Sequence, residues 1–160
     1  MKKAERNWTR RSALMFAVSA TTALVAPIAL AQQARHAMHV RRDAGCGCCL
    51  AWIDIMRRSG RFSVTVTNEV DMRAVKQELG IPLDLASCHT ATVAGFAIEG
   101  HVPPEDILSL IESRPAGIRG IAVPGMPIGS PGMEQPGGGN EAYDVIAFDA
   151  TGKTTLYAKR

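Results

Sequence analysis

An α/β fold is predicted for this 160-residue chain by three observations. Apolar residues alternate with period two in several short segments, recur at helical spacing in others, and the two kinds of segment take turns along the sequence. A cysteine-rich turn, Gly45-Cys46-Gly47-Cys48-Cys49, stands where the first strand gives way to the first helix. A Gly- and Pro-dominated stretch from Val123 to Asn140 separates this region from a terminal pair of short apolar segments.

Each element has its own local signal. Ala37 to Arg42 alternates weakly through Met38 and Val40 and predicts a short first strand. Leu50, Ile53 and Met56 then recur at helical spacing, Trp52 and Ile55 widen the stripe, and Gly60 ends the helix. Phe62, Val64 and Val66 alternate with Ser63, Thr65 and Thr67, as in a half-buried strand. Asp71 caps a second helix carrying Met72, Val75 and Leu79, closed by Gly80 and Pro82. Ala91 to Ala94 and Phe96 to His101 predict a hairpin around Gly95. Pro103 and Pro104 start a third helix, with Ile107, Leu108, Leu110 and Ile111, that stops before Pro115. After the long loop, Tyr143 to Phe148 and Thr154 to Tyr157 form a C-terminal β-hairpin. The order β-α-β-α-β-β-α, with cysteines at the start of the first helix, is a thioredoxin-like arrangement. The loop is held at both ends, and held loops near a site often carry function rather than serving as flexible linkers.

Residues 1–31 read as an export signal. Lys2, Lys3, Arg6, Arg10 and Arg11 precede an apolar run from Ala13 to Leu30, and Ala29-Leu30-Ala31 is a small-x-small cleavage site. Thr9-Arg10-Arg11-Ser12 resembles a twin-arginine signal, with an ordinary secretory signal as the alternative. Thr21, Thr22 and Pro27 interrupt the run and argue against a stable membrane span. Residues 32–160 are expected to form one periplasmic domain. They carry thirteen basic and fourteen acidic residues, a formal net charge of −1. No basic patch interleaved with aromatics remains, which disfavours nucleic-acid binding. No paired carboxylates, phosphate-cradling loop or nucleophile–His–acid pattern supports hydrolysis.

Cys46, Cys48 and Cys49 crowd three thiols into four residues. Cys48 and Cys49 are poor disulfide partners, because adjacent Cα atoms lie about 3.8 Å apart and disulfides begin near about 4.4 Å. Unpaired N–H groups and the partial positive charge of a helix N-terminus favour thiolates over thiols. Thiolates select Cu(I), Zn(II) or iron–sulfur clusters. Ser87-Cys88-His89-Thr90 adds a fourth thiol and an imidazole immediately before the third strand, where a thioredoxin-like fold faces the first helix and where thioredoxins carry a cis-proline that this chain lacks. Met126 and Met133 lie in a glycine-rich context with little core to fill; their thioethers suit Cu(I) and scarcely suit Zn(II). Core packing is the simpler reading of Met56 and Met72, and solvent exposure that of His36 and His39. His101, at a strand end, is a weaker ligand candidate, more often a structural or outer-shell group.

Cys46-Gly47-Cys48-Cys49 with Trp52, Leu85-Ala86-Ser87-Cys88-His89-Thr90, Glu99-Gly100-His101-Val102-Pro103, and the run from Ala122 to Glu134 together resemble the DUF411 family, which includes CopG-type copper-resistance proteins. The resemblance covers nearly all of residues 32–160. It implies a periplasmic thioredoxin-like protein of copper resistance, with Cys46, Cys48, Cys49 and Cys88 as copper ligands. Four thiolates can bridge several Cu(I) ions, so a small multinuclear cluster is physically reasonable. The expected role is Cu(I) binding for copper resistance or for handover to other periplasmic copper-handling proteins. His89, Met126 and Met133 are further candidate ligands, and His101 follows them. A mononuclear zinc site of three cysteines with Cys88 or His89 is the alternative metal. A thiol-disulfide or copper oxidoreductase using Cys46 and Cys49 is the alternative function. A third is a domain stapled by a disulfide from Cys46 or Cys49 to Cys88.

Overall fold

The computed structural model describes residues 34–160; the export-signal expectation for residues 1–31 lies outside them. Seven strands and three helices follow in the order β1 (His36–Asp43), α1 (Gly47–Arg58), β2 (Phe62–Glu69), α2 (Met72–Glu78), β3 (His89–Val93), β4 (Phe96–Glu99), α3 (Pro104–Ser113), β5 (Ile118–Ala122), β6 (Asp144–Asp149) and β7 (Thr154–Lys159). They form one sheet in the order β2-β1-β3-β4-β5-β6-β7. β1 pairs parallel to β2 and antiparallel to β3, and β3 is antiparallel to β4. α3 crosses over so that β5 lies parallel to β4, and the terminal hairpin continues from β5 antiparallel.

The alternating side chains of the sheet face two apolar layers. On one face Met38, Val40, Ala91, Val93, Ile98 and Ile121 pack with Trp52, Ile53 and Met56 of α1 and Ile107, Leu110 and Ile111 of α3. On the other, Ala97, Ala122 and Phe148 pack with Ile81 and Leu85. Full burial of an aliphatic or methionine side chain contributes roughly 1.5–3 kcal/mol, so the α1 stripe anchors the helix whose first turn carries the cysteines. Among the described residues, no helix is long and apolar enough to cross a membrane.

The structure departs from the expectations in three places. β5 was not predicted; Gly120 interrupts its apolar pattern, yet a Cβ there would run into the Ala97 carbonyl and the Phe148 ring, so a close approach of strands selects glycine. β3 begins at His89 rather than Ala91, because His89 pairs with Arg42 and Thr90 with Arg41 across β1. β4 ends at Glu99: Gly100, at φ +72°, turns the chain out of the sheet and leaves His101 beyond it.

The long loop is knitted rather than free. Ser130 is fully buried, and its hydroxyl donates to the Pro127 carbonyl at 2.7 Å. The Met133 N–H donates to Ser130 at 2.8 Å, and Ile128 accepts from the Glu141 N–H at 2.9 Å. Gly132, at φ +87°, lies against the first turn of α1: a Cβ there would stand 2.8 Å from the Trp52 nitrogen and 3.2 Å from the Cys48 carbonyl oxygen.

Candidate metal centre

The cysteine turn is built on the end of β1. Asp43 accepts from the Gly45 N–H at 2.7 Å through its side chain and from the Cys46 N–H at 3.2 Å through its carbonyl. Arg42, on the α1 side of the sheet and only 6 % exposed, donates from Nη1 to the Cys46 carbonyl at 2.6 Å and from Nη2 to the Ala44 carbonyl at 3.2 Å. No carboxylate pairs with it among the described residues. Cys46 becomes the N-cap of α1, with its Sγ accepting from the Cys49 N–H at 3.3 Å. The turn thus satisfies a helix-end donor with sulfur, where Ser, Thr, Asp or Asn is the usual choice.

Cys46 and Cys49 are joined as a disulfide with a Cα separation of 5.5 Å; Cys48 and Cys88 are free thiols. The bond therefore runs within the C-x-x-C pair and not to Cys88. Cys48 stands at the middle of the sulfur group: its Sγ is 3.6 Å from Cys46 Sγ, 3.9 Å from Cys88 Sγ and 3.9 Å from Met126 Sδ. All four cysteine sulfurs lie within 4.8 Å of one another. Met126 is half exposed and forms the outer rim. Met133 enters the region through its backbone bonds to Ser130 and Gly129, which hold the loop over α1.

Beneath the sulfurs lie two fully buried imidazoles. Cys88 Sγ is 3.2 Å from His89 Nδ1 and 3.1 Å from His101 Nε2. His101 Nδ1 donates to the Pro131 carbonyl at 2.7 Å, which fixes the tautomer and turns the Nε2 lone pair toward Cys88. The His89 ring packs between Trp52, at 4.5 Å between centroids, and His101, at 5.1 Å; its Nε2 is buried without a hydrogen-bond partner. Trp52 is in turn fixed by donating Nε1–H to the Val102 carbonyl at 2.9 Å. His101 is therefore no peripheral strand-end residue, but one of the two histidines nearest the free Cys88. His39, by contrast, is exposed and bonds Thr67 at the surface, while Met38 and Met56 are core and Met72 is half-buried.

Burial, reinforced by the neighbouring Cys48, pushes the Cys88 thiol up to about 12, so the metal-free centre holds it protonated. Burial holds His89 well below the usual imidazole range, aided by His101 and the Lys76 and Arg42 cations; burial also lowers His101. Two neutral imidazoles and a thiol that must shed its proton on coordination make a donor set whose metal binding releases protons.

A buried polar group braces the segment before Cys88. Lys76 Nζ donates to Glu99 Oε1 at 2.6 Å and to Thr90 Oγ1 at 3.0 Å, Thr90 donates to Glu99 Oε2 at 2.6 Å, and the Ser87 N–H donates to Glu99 Oε1 at 2.6 Å. The sequence assigns no role to Lys76 or Arg42, and Glu99, Thr90 and Ser87 enter there only as members of longer motifs.

Residues 85–133 match the family described as "Protein of unknown function, DUF411". Two solved structures described as "Copper resistance protein copG", forms 2 and 1, are each 46 % identical to this chain. They cover 79 % of it and 99 % and 98 % of their own chains, with TM-scores of 0.74 and 0.73. This chain belongs to the CopG-type DUF411 family. No curated protein sequence matches it. The DUF411 match spans Cys88, His89, His101, Met126 and Met133, so it reaches the imidazoles, the fourth thiol and the methionine loop, while the C-x-C-C turn lies ahead of it. The CopG-type structures extend the likeness over most of the described chain.

Proposed function

We propose that this protein binds copper as Cu(I) in the periplasm, through Cys46, Cys48, Cys49 and Cys88, and serves copper resistance by sequestration or handover to another periplasmic copper-handling protein. The observation that carries this reading is the convergence of four cysteine sulfurs within 4.8 Å, with a methionine sulfur 3.9 Å from Cys48. Cu(I) is satisfied by few soft ligands, and thiolates that bridge can share several ions between them. A thioether on the rim favours Cu(I) over Zn(II), which prefers thiolate, imidazole and carboxylate. Reduction of the Cys46–Cys49 disulfide by an external dithiol, which is itself oxidised to a disulfide, supplies the full set of thiols. His89 and His101 are the nitrogen ligands or outer-shell partners of Cys88, and Met133 holds the loop that carries Met126. The name of the CopG-type relatives supports a copper role.

The thioredoxin-like reading of the fold belongs to this proposal and is supported by the order β1-α1-β2-α2-β3-β4-α3 and its strand directions. Export by residues 1–31, which places the domain in the periplasm, belongs to it as well.

The test is competition for Cu(I) between the reduced protein and a chromophoric chelator, without oxygen. Tight binding that weakens on Cys48→Ser and on Cys88→Ser is expected. Unchanged binding in both variants would sink the proposal. The disulfide itself favours a second reading, a thiol-disulfide or copper oxidoreductase with Cys46 and Cys49 as its pair. Turnover of a model disulfide that disappears on Cys46→Ser is the outcome which reading two requires.

A further inference from the structure

β2 lies at one edge of the sheet, and nothing on it keeps another strand away. It runs 8 residues, Phe62–Glu69, in unbroken parallel register with β1, and its other side faces no strand of the sheet. Ser63, Thr65, Val66, Thr67 and Asn68 are exposed. Edge strands are ordinarily blunted by a charge within the strand, a proline, a bulge or a covering element. From Phe62 to Asn68 there is no charge, proline or glycine, and the register does not shift. The opposite edge, β7, does carry such devices: its pairing with β6 shifts between Val145 and Ile146, and Lys153 and Lys159 stand at its two ends. The phase of β2 decides which groups it offers. The Arg61 carbonyl accepts from the His36 N–H at 2.8 Å, and main-chain groups of successive strand residues point to alternate sides. Ser63, Thr65 and Thr67 therefore bond to β1, while Phe62, Val64, Val66 and Asn68 aim their N–H and C=O groups outward, without partners among the described residues.

We propose that β2 is a self-association surface, pairing antiparallel with β2 of a second copy of this chain about a two-fold axis at Thr65. The strand's own sequence selects that occupant. Centred on Thr65, the pairing sets Val64 opposite the partner's Val66, Phe62 opposite the partner's Asn68 and Ser63 opposite the partner's Thr67. The outward-facing main-chain groups then meet as hydrogen-bonded pairs, and the β-branched Val66, 37 % exposed in the single chain, gains a β-branched cross-strand neighbour. At each end Arg61, whose Nε is buried without a partner, comes opposite the partner's Glu69, a carboxylate that gives only Oε1 to Arg41. A two-residue slip would set Glu69 against the neutral Ser63 instead. The isologous joint closes at two copies, whereas a joint of β2 with β7 of the next copy would propagate without end. A single strand pair is a small interface, so the dimer is weak and depends on concentration. The cysteine turn follows β1 at the end where Asp43 pairs with Glu69, so an antiparallel joint sends the two turns to opposite ends and leaves both open.

The experiment is analytical ultracentrifugation of the metal-free protein over a series from low micromolar to millimolar concentration, with amide hydrogen exchange followed alongside. A dimer that grows with concentration is expected, with exchange slowing at the Phe62, Val64, Val66 and Asn68 amides as it forms. Thr65→Lys sets like charges together at the axis and should stay monomeric, while Thr155→Lys, on β7, should dimerise as the parent does. Register is read by cross-linking. A non-hydrogen-bonded pair such as Thr65 with its own copy holds its Cα atoms about 4.5 Å apart, within the disulfide range of about 4.4–6.8 Å. Under a mild oxidant Thr65→Cys should therefore give a reducible covalent dimer that neither Thr67→Cys nor the parent gives. If Thr65→Lys does not fold, the cross-link decides. A parent protein that stays monomeric to millimolar concentration, a dimer undiminished by Thr65→Lys, or equal cross-linking from Thr67→Cys would each overturn the proposal.

Discussion

Arg42 donates from Nη1 to the carbonyl oxygen of Cys46 across 2.6 Å, and this bond ties a buried guanidinium to the residue that caps α1. The same guanidinium reaches Ala44 from Nη2, so one side chain spans the turn that leads to the cysteines. Its charge has no carboxylate partner among the described residues, and its bonds go to the backbone of the turn. Arg42→Met should therefore loosen the turn and lower Cu(I) affinity by about 10-fold or more, the scale on which loss of an outer-shell partner acts. Arg42→Lys, which keeps the charge but loses the fork, should fall between. Chelator competition on the reduced proteins reads the series, and equal affinities in all three would contradict it.

Gly132 should not tolerate a side chain. Its φ of +87° strains any other residue, and a Cβ would meet the Trp52 nitrogen at 2.8 Å. Gly132→Ala is expected to lower the unfolding free energy by about 1–3 kcal/mol, measured by urea denaturation. Gly137→Ala serves as the comparison: it shares the positive φ but has open space around it, and should cost less.

The Lys76–Glu99 pair is a brace that fails asymmetrically. Glu99 is fully buried, and burial pushes its carboxyl above the usual range against the pull of Lys76. Lys76→Met, which strands the carboxylate, should cost about 3–5 kcal/mol, the scale for breaking a buried pair by removing one partner. The double variant Lys76→Met/Glu99→Gln should recover part of that loss. Urea midpoints of the two proteins check this; a double variant less stable than the single one would contradict it.

Acid should weaken the metal-free fold through its histidines. Burial depresses both His89 and His101 in the native state below the ordinary value of 6.5. In the unfolded chain both take up a proton near about pH 6.5, so below that range the unfolded state binds more protons than the native one. The stability they contribute is complete above that range and is lost as pH falls toward their native values. Urea midpoints of metal-free oxidised protein at about pH 7.5 and about pH 5 should differ in that direction. His89→Asn should shrink the difference, even though it also lowers stability at both values. A difference unchanged by His89→Asn and by His101→Asn alike would contradict the assignment to these histidines.

Much of this architecture was legible in the sequence because its signals are local. The α1 stripe of Trp52, Ile53 and Met56, the Asp71 cap and the Pro104 start of α3 each declare themselves within a few residues. β5 did not, since Gly120 is chosen by a neighbour in another strand and weakens the very pattern that announces a strand. The same distinction separates the site residues. Cys46, Cys48 and Cys49 are conspicuous by crowding, and Cys88 stands out as the remaining thiol. His101 ranks last among the candidate ligands in the sequence, because its orientation by Pro131, thirty residues later, leaves no local mark. Arg42, Lys76 and Glu99 are buried charges whose partners are all distant in sequence or on the backbone, and a single chain of letters carries no mark of that.

The central claim is that the reduced thiols bind copper collectively as Cu(I). The most direct measurement is an anaerobic titration of the fully reduced protein with Cu(I), counting metal and thiol per chain, followed by copper X-ray absorption of the loaded protein. The account predicts more than one Cu(I) per chain, sulfur-dominated coordination, copper–copper scattering, and no displacement by excess Zn(II). A single tightly held Zn(II) that excludes Cu(I), or no competitive uptake of Cu(I) by the reduced protein, would contradict it.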